Sequence, residues 1–237
     1  MHNVCTASAS RAGVCLAFAI FAVVRTQPTT ANSVVEWNEI AVATVRKPDW
    51  PLLRRERTLA MTQLAVFEAT NAIRPQYVAS QIAVHGDTGA SLRAAVVEAA
   101  YRVLLNQVPD DSISLAAQRA RSMAVVAAGK ARSDGETAGA LAAQSVLNWR
   151  ANDGADWTPT YHPRTAPGAY QPTSTQPVDA PVVVHMKPFA LRSISQFRVA
   201  PPPAITSAEF ARDLKEVHDV GGMRSGARSA DQTAQGL

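Results

Sequence analysis

Arg54, Arg55 and Arg57 cluster within four positions, and such a group could belong to a nucleic-acid footprint. Glu56 stands among them at a helix start, so the cluster reads as a solvated charged face. Asp153 and Asp156 flank a turn. Paired carboxylates can do acid–base work, but beside Gly154 they read as residues that shape a loop. The five histidines, His2, His85, His162, His185 and His218, are scattered, and none stands one helical turn from another as a helical metal pair would. His218 falls on a polar helix face. There is no G-x-S-x-G, no phosphate-cradling G-x-x-x-x-G-K-[ST], no H-E-x-x-H and no cysteine-based metal pattern. No residue is therefore assigned a catalytic, cofactor-binding or metal-binding role. Glu68 and Asn71 remain, on or beside an apolar helix stripe. Buried polar groups need partners, so these two either join a hydrogen-bond network or serve a site; a structural network is the preferred reading.

The element that must position them runs from Pro51 to Tyr77. At about 100° per residue it has two apolar stripes. Leu53, Ala60, Leu64 and Phe67 form one; Leu59, Val66 and Ile73 form the other, nearly opposite. A helix apolar on two sides is expected to be the buried core helix of a bundle. Pro75 biases Arg74 away from helical angles and should end it.

The 237-residue chain is 47% hydrophobic and only 18% charged, which fits a globular core and excludes a disordered chain. Abundant Ala and few aromatics favour closely packed helices. The formal charge is +4, and no basic run suggests nucleic-acid binding. Ala12 to Val24 is a 13-residue apolar run behind Arg11, the length of an export-signal core and too short to span a bilayer comfortably. Thr29-Thr30-Ala31 offers a cleavage site. Residues 1–31 are therefore expected to be a signal peptide. The mature protein would be exported, periplasmic or extracellular, with no stable membrane span. Cys5 and Cys15 both lie in that segment, so a cleaved chain would have no disulfide, no thiol catalysis and no cysteine-bound zinc.

An N-terminal helical bundle is expected over 32–152. Asn32 or Ser33 caps a first helix to about Arg46, with Glu36 at capping-box spacing from Ser33. Pro51 suits the first position of the second helix. After a loop at 76–90, Ser91 caps a helix with Leu92, Val96, Ala99 and Val103 on one face, ending near Val108-Pro109. Asp110, Asp111 and Ser112 open the next, whose face is Ala116, Ala120, Met123 and Ala127 and which fades by Ser133. Asp134 caps another, with Ala138, Leu141, Ala142, Ser145 and Trp149 aligned, ending at Asn152-Asp153-Gly154. Ten of the 15 prolines lie between Pro159 and Pro203. The segment 153–205 is expected to be irregular, and its spaced aromatics favour wrapping over disorder. Its only strand-like run is Val182-Val183-Val184. Thr206 to Glu209 reads as a capping box for a helix over 206–221, with Phe210, Leu214 and Val217 on one face. Residues 222–237 read as a polar tail with no convincing element.

V-V-E-W-N (34–38), R-x-L-A-M-x-x-L-A-V-F-E-A-x-N-A-I-x-P-x-Y (57–77) and A-A-Y-R-V-L-L (99–105) are similar to the N-terminal half of bacterial vanadium-dependent haloperoxidase-like proteins, of the type-2 phosphatidic acid phosphatase superfamily. P-G-A-Y-Q-P-T (167–173), K-P-F-A-L-x-S-x-x-Q-F-R (187–198), P-P-P-A-I-T-S-A-E-F-A-x-D-L-x-E-V (201–217) and S-A-D-Q-T (229–233) follow in the same order. Each motif is modest; their ordered coincidence from Val34 to Ala234 is specific. The resemblance implies an all-α fold of two bundles and a site for vanadate, or for phosphate in the phosphatase relatives. That site needs cations around an oxyanion and a histidine to bond the metal or attack phosphorus.

The family's three site motifs, K-x6-R-P, P-S-G-H and S-R-x5-H, are absent here. The only Arg-Pro pair is Arg74-Pro75, with Phe67 where the lysine should stand. Ser225-Gly226 lacks the flanking proline and histidine, and Ser10-Arg11 has Ala17 in place of histidine. The expectation is the N-terminal part of a longer enzyme, cut short by a frameshift, a stop codon or a gene-model boundary. It would hold no cofactor itself, vanadate belonging to an intact relative. It would be inactive alone, with the missing C-terminal half or a second copy as partner. The competing readings are a non-enzymatic exported helical interaction module and a small hydrolase with an unrecognised site.

Overall fold

The computed structural model of the chain describes residues 32–80, 82, 84–162, 164–172 and 180–235. The expected signal peptide, with Cys5 and Cys15, lies outside the described residues. What is described is all-α, with no strand among the described residues. Seven helices follow in order: α1 (Ser33–Val45), α2 (Leu52–Ile73), α3 (Leu92–Gln107), α4 (Ser112–Met123), α5 (Lys130–Arg150), α6 (Ala208–Val220) and α7 (Ala230–Gln235). Short 3-10 turns occupy Pro109–Asp111 and Pro181–Val184. The strand-like valines thus form a helical turn, with Pro181 setting its first position and no neighbouring strand to pair with.

Local chemistry explains most boundaries. The Asn32 side chain accepts from Val34 N, and Glu36 does not complete a capping box because its carboxylate turns to Ser122 and Arg93. Pro51 is extended (ψ 146°), so α2 begins one residue later than expected. Ser91 Oγ accepts from Ala94 N, and Ser91 N donates to Ala131 O, tying the start of α3 to α5. Ser207, not Thr206, caps α6. Ser229 and Gln232 form a reciprocal capping box that starts α7 within the expected structureless tail.

Two boundaries are corrected further along. α4 stops at Met123, ten residues before Ser133, and α5 begins at Lys130 rather than behind an Asp134 cap. Gly129 sits between them at φ 133°, a conformation that ends one helix and admits the next. Asp134 is instead one turn inside α5 and pairs with Lys130 Nζ at 2.5 Å.

The innermost helix is α3, not α2. It packs against α1, α2, α4 and α5, and all seven residues from Ala94 to Ala100 are buried. Small residues make this possible. At Gly139 of α5, an added Cβ would lie 2.9 Å from Ala99 N and closer still to Ala95 O. At Gly135 it would lie 2.9 Å from Ala94 Cβ and closer to Ser91 O. One turn apart, the two glycines let the α5 backbone rest on the α3 backbone.

The buried faces of the outer helices differ from expectation. α2 turns Thr58, Met61, Thr62, Ala65 and Ala69 to the core, with Val66 and Ile73 of the second stripe at the edge of that face. Thr58 and Thr62 bury with their hydroxyls satisfied, because each donates to the carbonyl four residues back. The first stripe therefore points outward: Leu53, Leu64 and Phe67 are half-buried and Ala60 is exposed. In α4, Ala116 and Ala120 are exposed, as is Ala127 beyond its end; Leu115, Ser122 and Met123 are buried. In α5, Ala138 and Ala142 are buried but Leu141 is half exposed, because the glycines rotate the face toward Ala143 and Val146.

Candidate functional site

Where the N-terminal turns of α2 meet the C-terminal end of α5, the chain gathers its most deeply buried charges. The Asp153 side chain is 2% exposed and that of Arg150 not at all. Asp153 Oδ2 accepts from Arg57 Nε at 2.8 Å and from Arg150 Nε and NH2 at 2.8 and 2.6 Å; Oδ1 accepts from Ala155 N. The remaining donors are also placed. Arg57 NH1 reaches Gln107 Oε1 on α3, and NH2 reaches Arg150 O. Arg150 NH1 and NH2 donate to Pro188 O and Lys187 O, and Lys187 N donates to Asp153 O. The Arg150 guanidinium also lies 3.9 Å from the Phe189 ring centre and 4.7 Å from that of Trp149. The cluster is a clasp: it fixes the segment around Lys187–Phe189 to the ends of α2, α3 and α5.

Burial pushes the Asp153 carboxyl upward, but the Arg57 hydrogen bond, the Ala155 N–H and the two arginine charges outweigh it and hold the group below its ordinary value of 3.8. A carboxylate so held, with both oxygens occupied, is a poor proton acceptor. Gly154 makes the turn possible at φ 87°, and a Cβ there would lie 2.6 Å from His185 O.

A cavity of about 770 Å³ opens beside the clasp. Arg54, Arg57, Asn106 and Gln107 supply its polar wall; Leu53, Trp157 and Val182 supply apolar surface. The three clustered arginines form the expected solvated face only in part: Arg54 and Glu56 are exposed, while Arg55 and Arg57 are half-buried. Arg54 stacks 3.7 Å over Trp50, Arg55 donates to Lys47 O at 2.6 Å, and Arg57 is drawn into the clasp. Asp153 and Asp156 do not act as a pair: Asp153 is enclosed, while Asp156 is exposed on the cavity lining. The described histidines His85, His162, His185 and His218 are exposed and apart; His185 lies against Trp157 at 3.8 Å between ring centres. His2 lies outside the described residues. Among the described residues, no three His, Cys, Asp or Glu side chains gather as a metal would need.

Glu68 and Asn71 anchor the loop that leaves α2. Glu68 Oε1 accepts from Ser80 N and Ser80 Oγ. Asn71 Oδ1 accepts from Gln76 N and Tyr77 N, and its Nδ2 donates to Tyr77 O. Two further networks escaped sequence reasoning. Ser122 Oγ donates to Glu36 Oε1 at 2.5 Å and accepts from buried Trp37 Nε1 at 3.1 Å, while Arg93 NH2 bonds Glu36 Oε2. Glu98, 4% exposed, is held between Arg102 and Arg119 at 2.6 Å each. The R-x-x-D spacing of Arg150 and Asp153 was the available signal for the clasp, and the i,i+4 spacing of Glu98 and Arg102 for that pair; nothing local marks Ser122.

No family model, no curated protein and no solved structure matches this chain. Among the described residues, no helix is long and apolar enough to cross a membrane.

Proposed function

We propose that this chain is the N-terminal, scaffold portion of an exported vanadium-dependent haloperoxidase-like protein, and that it neither holds vanadate nor turns over substrate by itself. An intact parent would oxidise halide with peroxide or, as in the phosphatase branch, hydrolyse phosphate esters. One observation carries the reading. Residues of three separate motif segments act as fasteners between elements. Glu36 and Trp37 of 34–38 meet Ser122, and Arg57 of 57–77 and Lys187, Pro188 and Phe189 of 187–198 meet the Arg150–Asp153 pair. Such contacts suit motifs whose role is to hold a frame for chemistry done elsewhere, and the three oxyanion motifs are absent from the sequence. The DNA downstream of Leu237, read in all three frames, tests the family. It is expected to encode K-x6-R-P and P-S-G-H; a long downstream stretch with neither removes the reading.

A second reading, a non-enzymatic helical interaction module, is favoured by α6. That helix buries no residue, and Leu214 and Val217 are 57% and 65% exposed. Peroxide-dependent halide oxidation by the purified chain would eliminate this reading.

A further inference from the structure

Two apolar surfaces of this chain lack a partner among the described residues, and they match each other. The first is a groove on the outward side of α2, formed by adjoining depressions of about 430 and 450 Å³ that share Ala60 and Phe189. Leu53, Ala60 and Leu64 line it from the helix; Phe189, Leu191 and Ile194 line it from the clasped segment. From Leu53 to Leu64 it follows α2 for about 16 Å at 1.5 Å per residue. Glu56 stands on its helix wall and Lys187 on the opposite wall.

The second surface is α6. Phe210, Leu214 and Val217 fall within about 60° of one another around the helix, and span about 10 Å along it. Lys215 and His218 flank this stripe on one side; Glu209, Asp213 and Glu216 flank it on the other. The flanks therefore suit the groove: the basic flank faces Glu56 when the acidic flank faces Lys187. Within one chain the match is not made. Pro201, Pro202 and Pro203 stiffen the approach to α6, and its apolar stripe stays largely in solvent.

We infer that α6 of a second copy of this chain occupies the groove, and that reciprocal exchange closes a two-fold dimer. Groove and helix belong to the same chain, so two copies satisfy both surfaces at once and leave neither open for further growth. The inference rests on the interaction-module reading and names its partner.

Sedimentation velocity of the full chain from about 1 to 100 µM tests it, in the affinity range of a modest interface. The expected species has twice the 25.2 kDa chain mass. Leu214→Glu and Ala60→Lys each place a charge in the contact and should raise the dissociation constant at least about 30-fold. Both positions are exposed, and the lysine introduced by the second substitution would pair with Glu56 one turn away, so far-ultraviolet circular dichroism should stay unchanged. Mixing the two variants should recover part of the association, because the intact helix of one meets the intact groove of the other while the second contact sets the introduced carboxylate against the introduced ammonium. A monomer across the range, a dimer indifferent to both substitutions, or variants that stay apart on mixing would overturn the dimer and leave the module reading standing. Halide oxidation by the purified chain removes the module reading separately.

Discussion

Gly139→Ala measures how closely α5 lies on α3. The added Cβ would sit 2.9 Å from Ala99 N and Glu98 Cβ, and nearer still to Ala95 O. The two closest obstacles on the facing helix are backbone atoms, so no side-chain rotation relieves the clash. Restoring an ordinary carbon contact requires the helices to part by roughly 1 Å where they are lined by Ala94, Ala95, Ala138 and Ala142, residues with nothing flexible to fill the gap. Overpacking of a rigid site costs about 3 kcal/mol at the upper end of its usual range. Alanine recovers about 1 kcal/mol through its helix propensity. The net loss is about 2 kcal/mol, or about 4–8 °C in Tm for a domain of this size. Thermal and urea unfolding, followed by far-ultraviolet circular dichroism, read the change. Thr137→Ala, on the exposed side of the same helix, is the control and should be neutral or slightly stabilising. A Gly139→Ala protein about 1 kcal/mol more stable than its parent would show propensity alone at work and refute the close seam.

Other consequences follow from the buried polar groups. Asp153→Asn leaves two arginines sharing a neutral acceptor, so unfolding should ease by about 3 kcal/mol, and chymotrypsin should cut sooner after Phe189 as the clasp loosens. The folded Asp153 binds its proton less readily than the unfolded chain does, so its stabilisation is present above the ordinary carboxylate value of 3.8 and is lost as pH falls toward the lower folded value. The urea midpoint should drop on acidification through that window, and less so in Asp153→Asn. Exposed Asp87 and Asp219 are shifted the same way, but solvent screening makes their share small. Ser122→Ala strips the acceptor from Trp37 Nε1 and a donor from Glu36, at a cost of about 1–3 kcal/mol in urea unfolding.

The all-α class, the approximate spans of α1, α2, α3 and α6, and the Ser91 cap were legible because each rests on local chemistry. Stripe reading fails in α2 because threonine counts as polar in a sequence, although a hydroxyl that bonds back within its own helix is satisfied and can be buried. It fails in α5 because Gly135 and Gly139 offer no side chain to a periodicity analysis, yet decide which face meets α3. Arg57 misleads for a different reason. Its partner Asp153 is 96 residues away, and only the fold brings a surface-like arginine to a buried carboxylate. Ser122, 86 residues from Glu36, escapes for the same reason. The outward stripe of Leu53, Ala60, Leu64 and Phe67 looks like core in the sequence, since apolar spacing alone cannot tell a face covered within the chain from one left for a partner.

The scaffold reading meets its most direct test in vanadate-dependent halide oxidation. Purified chain, incubated with orthovanadate, hydrogen peroxide and bromide or chloride, is predicted to halogenate an organic acceptor no faster than the same mixture without protein. Saturable turnover that requires both vanadate and the chain would contradict it, and would place an oxyanion site among the residues that hold the frame together.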